Sequence, residues 1–361
     1  MKKNIILFVI VVFSILLAVS VYLYFKKQTS HIQPNQNQTE QNQQIKINHG
    51  PCLSSDEIVK YKTIKKDAAQ QDTEIYIYNS ENVENNVVKI ENIYRGYHPI
   101  ESYKCGIYMI KFFNYNSSGN QKSNFRAELW IYKYNGYGEN LITLDDYSFD
   151  FRIDPSETYA VLQQGYLGTD NYSLIIKSIE TKEDVFVMPL QYITDKYSSF
   201  IGSIGMNQWT KDGKYFWGDI YDGANILTFF RIERDSWKVE IFLAPAGTMG
   251  GDALNPELGY ITYDNGAPWT GMHDISEEIR NEWKKEGKLN YFYLYNLFTK
   301  KQILVDTIDD PTWNFEPDWI SDTELEYYVP SYSLSDGEIS ESEFENYYAA
   351  KERKIYKINE K

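Results

Sequence analysis

The chain has 361 residues, of which 42% are apolar, 24% charged and 16% aromatic, and its formal net charge is −15. That charge excludes broad nucleic-acid binding, which needs a basic surface to displace phosphate counterions. Four His and two Cys are too few for a zinc framework, and the aromatic content excludes a wholly disordered chain.

The first element is an apolar run, Ile5 to Phe25, 21 residues without a charge and flanked on each side by two Lys. As a helix it spans about 30 Å, the thickness of a hydrocarbon core. Residues 1–27 therefore read as a transmembrane anchor, with a signal cleaved near Ala18 or Ser20 as the alternative. The short N-terminus is expected in the cytoplasm and everything after Phe25 outside it, since long domains translocate largely regardless of charge. Residues 28–50 follow as a flexible linker; 11 of the 21 residues from Gln28 to Asn48 are Asn or Gln, with no apolar period. Residues 51–361 form the extracytoplasmic domain. Its two cysteines, Cys52 and Cys105, either pair, closing a loop worth about 4 kcal/mol on the chain-entropy model, or stay as buried thiols.

Ser54 to Lys66 has acids early and lysines late, the dipole-favourable order for a short helix. From Glu74 the texture becomes β: short Tyr-, Phe-, Ile- and Val-rich runs separated by Gly, Asn, Asp and Pro. Glu74 to Asn79 is a candidate strand that completes the last sheet of a ring. The runs then repeat. Gly106 to Phe113, Arg126 to Tyr134 and Leu141 to Leu144 form a degenerate first copy. A clearer copy has the turn Asp154-Pro155-Ser156, then Tyr159 to Leu162, Tyr172 to Ile179 and Val185 to Met188. The next has Lys211-Asp212-Gly213-Lys214, then Tyr215 to Trp217, Leu227 to Ile232 and Trp237 to Leu243. Another has Asn255-Pro256-Glu257, Tyr260 to Tyr263, Asn290 to Tyr295 and Gln302 to Val305. The last has Glu316-Pro317-Asp318, Glu324 to Val329 and Lys354 to Ile358. The corresponding tyrosines are Tyr159, Tyr215, Tyr260 and Tyr327. Helical insertions are expected near 274–288, with Gly287 as the stop, and at Ser340 to Lys354, where Ser340 and Glu343 form a capping box.

Each unit is three or four strands with a polar turn before the second and a charged hairpin before the last. Such a sheet cannot bury both faces alone, but sheets packed radially bury one another's. The units resemble the TolB-type propeller repeat, also found in the propeller domains of prolyl oligopeptidase-type enzymes. The resemblance rests on the turns at Asp154, Lys211 and Asn255 and covers roughly residues 100–360; the last copy departs from it at Glu316-Pro317-Asp318. It implies an all-β propeller of about six blades, with five or seven as alternatives and a β-sandwich as the rival fold.

The sequence holds little recognisable chemistry. No Gly-x-Ser-x-Gly elbow, P-loop, His-Glu-x-x-His or EF-hand spacing occurs, so the hydrolase half that accompanies some propellers is absent. His98 and His273 are the histidines outside the linker region. The acidic doublets Asp145-Asp146, Glu277-Glu278 and Asp309-Asp310 suit turns and helix starts better than a catalytic pair. No cofactor is expected; calcium is the one candidate, near Asp219, Asp222, Asp252 or Asp264. The Gly-rich stretch from Gly247 to His273 nominates Trp269, His273, Asp252 and Asp264 as a binding rim, against a plain reading as turns around a packed Trp. The Tyr excess reads chiefly as strand fabric. The expected function is a membrane-anchored binding or scaffold module at the cell envelope. Its partner would be an envelope protein or a carbohydrate. The alternative is a polysaccharide-acting enzyme with carboxylates at the channel mouth.

Overall fold

The computed structural model describes residues 52–53, 58–65, 70–78, 84–94, 100–113, 126–135, 137–144, 150–165, 172–189, 192, 203–221, 226–245, 254–265, 282–283, 285–310, 313–332 and 346–358. The chain divides into Met1–Lys46 and Ile47–Lys361, and every described residue belongs to the second unit. The expected anchor and linker lie outside the described residues, among which no helix is long and apolar enough to cross a membrane.

The described strands form six antiparallel sheets in chain order. Sheet 1 is β1 (Ile58–Lys65), β2 (Gln70–Tyr78) and β3 (Glu84–Tyr94). Sheet 2 is β4 (Ile100–Tyr103), β5 (Gly106–Phe113), β6 (Arg126–Tyr132) and β7 (Gly138–Leu144). Sheet 3 is β8 (Phe151–Ile153), β9 (Tyr159–Gln164), β10 (Ser173–Ser178) and β11 (Asp184–Pro189). Sheet 4 is β12 (Ser203–Trp209), β13 (Tyr215–Tyr221), β14 (Ile226–Glu233) and β15 (Val239–Leu243). Sheet 5 is β16 (Leu254–Asn255), β17 (Tyr260–Asp264), β18 (Asn290–Asn296) and β19 (Gln302–Ile308). Sheet 6 is β20 (Asp318–Trp319), β21 (Glu324–Pro330) and β22 (Lys351–Lys357). Each is a simple meander.

The sheets pack face to face in succession. The central strands are apolar on both faces because both are buried. On β5, Tyr108 and Ile110 meet Phe151, Ile153 and Leu162 of sheet 3, while Ile107 and Met109 meet Val59 of sheet 1. Val161 and Ile176 of sheet 3 meet Phe216 and Phe230 of sheet 4. Trp217 and Phe229 of sheet 4 meet Leu254 and Ile261 of sheet 5. Phe292 and Leu294 of sheet 5 meet Leu325 and Val329 of sheet 6. Cys52 and Cys105 are joined as a disulfide, and the Leu53 amide donates to the Lys104 carbonyl at 2.7 Å. The chain entering the domain is thus fastened to the β4–β5 turn.

Three local expectations are overturned. Within the helix expected at Ser54 to Lys66, the described residues Ile58–Lys65 are strand β1, in register with β2 from Ile58 opposite Tyr78 to Lys65 opposite Gln71. Val59, Tyr61 and Thr63 alternate with Lys60 and Lys62, a period of two that outweighs the favourable charge order. The strand at Glu74 to Asn79 does not complete sheet 6. Glu74 to Tyr78 lie inside β2, whose two edges are taken by β1 and β3, so they have no free edge to offer; Asn79 lies outside the described residues. The last equivalence is also displaced: the second strands of sheets 3, 4 and 5 begin at Tyr159, Tyr215 and Tyr260, but that of sheet 6 begins at Glu324. Tyr327 lies inside β21 and is buried. Near the chain's end, residues 346–349 are helical and Lys351 to Lys354 already belong to β22; Ser340 and Glu343 lie outside the described residues. At the other insertion, residues 282–283 and 285–286 are helical, and Gly287 takes a φ of +64°. The Lys288 amide reaches back to the Trp283 carbonyl at 3.0 Å, which closes the helix end.

A polar side chain organises the turn between the first and second strands of sheets 3 to 6. In sheet 3 it is Asp154, fully buried. Its Oδ1 accepts from the amides of Thr158 at 2.6 Å and Tyr159 at 2.5 Å. Its Oδ2 accepts from the Ser156 amide at 3.2 Å and from Arg234 Nη1, on the β14–β15 hairpin of sheet 4, at 2.8 Å. In sheet 4, Thr210 Oγ1 accepts from the Tyr215 amide at 3.0 Å, and Gly213 supplies a φ of +68°. In sheet 5, Asn255 Oδ1 accepts from Glu257 and Leu258, both at 3.1 Å. In sheet 6, Ser321 Oγ accepts from Glu324 at 3.0 Å. Proline and short acceptor side chains suit such turns because they pre-set φ and satisfy amides that no strand can reach.

Removing Asp154 strands three backbone donors and the Arg234 guanidinium. We expect Asp154→Ala to lose about 3–5 kcal/mol in urea denaturation, as for a buried pair broken on one side. A loss below about 1 kcal/mol would show the turn to be held by other means.

Candidate functional site

The first strands β4, β8, β12, β16 and β20 all contribute to one cavity of about 880 Å³. Sheets 2 to 6 therefore set their first strands around a common channel, the arrangement of a β-propeller. The strands are short, and β16 and β20 have two residues each. Consecutive first strands do not hydrogen-bond to each other as a ladder, so side chains link them. Tyr103 Oη on β4 donates to the Ile153 carbonyl on β8 at 2.8 Å. Arg152 Nε on β8 donates to the Asn207 carbonyl on β12 at 2.6 Å. Gln163 Nε2 donates to the Ile204 carbonyl.

The wall mixes charge, amides and aromatic rings. Arg152 Nη1 pairs with Asp150 Oδ1 at 2.6 Å and also donates to the Phe151 carbonyl at 2.7 Å. Trp209, Tyr221 and Trp319 supply rings, Gln208 and Asn207 supply amides, and Asp318 supplies a second carboxylate. Asp318 is exposed and makes no ion pair among the described residues.

Behind this wall lies Asp219 on β13, with 0% exposure. Asn207 Nδ2 donates to its Oδ2 at 3.0 Å, and the Tyr221 hydroxyl and the Gly205 backbone also favour its charged form. Gly205 faces it across the β12–β13 pair, and a Cβ on Gly205 would lie 1.9 Å from Oδ1. The glycine is what makes room for the carboxylate. Burial pushes the Asp219 carboxyl up from 3.8 to about 6, against hydrogen bonds from Asn207, Tyr221 and the Gly205 backbone.

The residues nominated from sequence fall elsewhere. Asp252, Trp269 and His273 lie outside the described residues. Asp264 closes β17 opposite Phe292 and does not line the channel. Of the calcium candidates, Asp222 and Asp252 are also outside the described residues, among which no three His, Cys, Asp or Glu side chains are placed to hold a metal ion. None of the residues that line the channel is nominated from sequence as a site, and Asp219, behind the wall, is named there only as a calcium candidate. An isolated Gly within a strand, here Gly205, was the available signal, because it marks a close approach.

No family model matches the chain, and no curated protein matches it. Solved structures similar to it include TolB from Acinetobacter baumannii, at 12% identity and a TM-score of 0.40, covering 76% of this chain and 58% of that one. The β-propeller domain of the Trilobed protease from Pyrococcus furiosus has 12% identity and a TM-score of 0.42, covering 76% of each chain. An oligogalacturonate lyase in complex with manganese has 9% identity and a TM-score of 0.40, covering 75% of this chain and 93% of that one. The chain spans less than two thirds of that TolB.

The raised Asp219 carboxyl has a stability signature. Below pH 3.8 it is protonated in both folded and unfolded chains. As pH rises to 6 the unfolded chain ionises first, so stability falls, and above 6 the whole cost of about 3 kcal/mol remains. Asp219→Asn should remove this decline and be more stable than the wild type at pH 7.5 in guanidinium denaturation. Equal stability of the two across pH 4–7.5 would refute the assignment.

Proposed function

We propose that the chain is a membrane-anchored, extracytoplasmic β-propeller that binds a ligand or protein partner at the cell envelope through its channel. The observation that carries this reading is the 880 Å³ cavity to which five first strands contribute. A wall of two indoles, two phenols, amides and carboxylates is the composition of a recognition site rather than of a packed core. The anchor rests on the apolar run Ile5 to Phe25, and the linker of residues 28–50 gives the domain reach. The Cys52–Cys105 disulfide supports an oxidising compartment, since such bonds persist outside the cytoplasm. In this reading sheet 1, packed on the face of sheet 2 opposite sheet 3, is the sixth blade.

The enzyme alternative needs two carboxylates facing a common ligand. Asp150 is committed to Arg152 and Asp219 is covered, which leaves Asp318 as the one available wall carboxylate among the described residues. Binding is therefore the better-supported role.

The test has two readouts on the full chain. In cell fractionation we expect a detergent-extracted membrane protein whose domain is cut by protease added to intact cells; a protected domain would overturn the topology. Gln208→Trp, which plugs the channel from an exposed wall position, should cut recovery of cross-linked envelope partners at least tenfold. Unchanged recovery would overturn the channel's role.

A further inference from the structure

The charges of the channel wall are unbalanced. Arg152 is the one cation among the described lining residues, and its guanidinium is committed to Asp150, the Phe151 carbonyl and the Asn207 carbonyl. An anionic ligand would therefore have to break an existing ion pair. Asp318 faces the same space, exposed and without an ion pair among the described residues. A second carboxylate lies beneath the lining. Asp219, fully buried, sits against Gly205 between Asn207 and Tyr221, all three of which line the channel. The chain as a whole carries −15, so its long-range field also draws cations.

We infer that the channel takes a ligand bearing a primary ammonium or guanidinium group, with Asp318 as its ion-pair partner and Trp319 and Tyr221 against its cationic and alkyl parts. This rests on the reading of the channel as the ligand site. A carboxylate beside aromatic faces is favourable for such a group twice over. The carboxylate forms a charge-assisted hydrogen bond, and the ring faces attract the cation by their quadrupole. Arg152 does not oppose it, because Asp150 neutralises that charge locally. The buried Asp219 adds a negative field behind the wall that no described cation cancels. A bare metal ion is a poorer fit: hard cations take six or more oxygens, and no cluster of three candidate side chains is present among the described residues.

The experiment is titration calorimetry on the full chain in detergent at low ionic strength, with three probes: spermidine, maltotriose and trigalacturonate. Spermidine should bind, and the other two should bind at least tenfold more weakly. Asp318→Asn and, independently, Gln208→Lys should each weaken spermidine at least tenfold, while Glu180→Gln, on an exposed hairpin, should leave it unchanged. Spermidine affinity that is indifferent to Asp318→Asn and Gln208→Lys would mean diffuse attraction to an acidic surface and would overturn the inference. Tighter binding of maltotriose or trigalacturonate that Gln208→Trp abolishes would also overturn it, yet leave the channel as the ligand site. Binding of none of the three would overturn the cationic assignment, and the partner-recovery experiment with Gln208→Trp would then decide the channel reading separately.

Discussion

Sheets packed face to face share no backbone ladder, so side chains must supply every directional link between them. The carboxylate of Asp154 is the fullest instance. It satisfies the amides of its own turn and accepts Arg234 from the next sheet, a position 80 residues along the chain. The same logic runs along the rim. Glu157 accepts from the Cys105 amide at 3.0 Å and from Tyr108 Oη at 2.7 Å, Glu257 accepts from the Lys211 amide at 2.6 Å, and Asn255 donates to the Asp322 carbonyl at 2.8 Å. Apolar packing holds the sheets together without direction. These polar links fix how far each sheet is turned against the next, and so where the first strands stand around the channel.

That division explains what the sequence reveals. The turn chemistry is local, and Asp154-Pro155-Ser156, Lys211-Asp212-Gly213 and Asn255-Pro256-Glu257 mark the starts of second strands directly. Central strands such as Val161 and Leu162 announce themselves because burial on both faces requires continuous apolar residues. Where charge order and strand period disagreed, at Ile58–Lys65, pairing prevailed, since an eight-residue ladder with β2 outweighs a dipole contribution of about 0.3–1 kcal/mol. The expected closing strand failed for a related reason. Glu74 to Tyr78 has the composition of a strand, but composition does not say which edge a strand will take, and its own hairpin neighbours were nearer in sequence.

The channel is hard to read from sequence because only Gly205, an isolated glycine within a strand, marks it locally. Its wall is drawn from Ser102 to Trp319, in pieces of one to five residues, from strands as short as two residues. No spacing rule connects Asp150 to Asp318. Trp209 and Trp319 each follow a run that reads equally well as core. Asp219 drew notice only as one of several acids, and its surroundings invert that reading: one amide, one glycine and a neighbouring phenol surround it instead of further oxygen ligands.

The Gly205–Asp219 pair costs the fold stability. An apolar residue at position 219 would pack against Trp217 and Phe229 at the interface of sheets 4 and 5 and carry no desolvation penalty. A side chain at position 205 would shield the strand pair and add to that interface. The chain instead places a buried carboxylate beside a residue with no side chain, directly under the channel wall. Neither choice improves packing, and together they hold a negative charge close to the lumen in a setting of low polarisability. Stability arguments alone would remove both residues. Asp219 lies behind Asn207 and Tyr221 in the channel wall and Gly205 lies in that wall, where packing alone gives no reason for either.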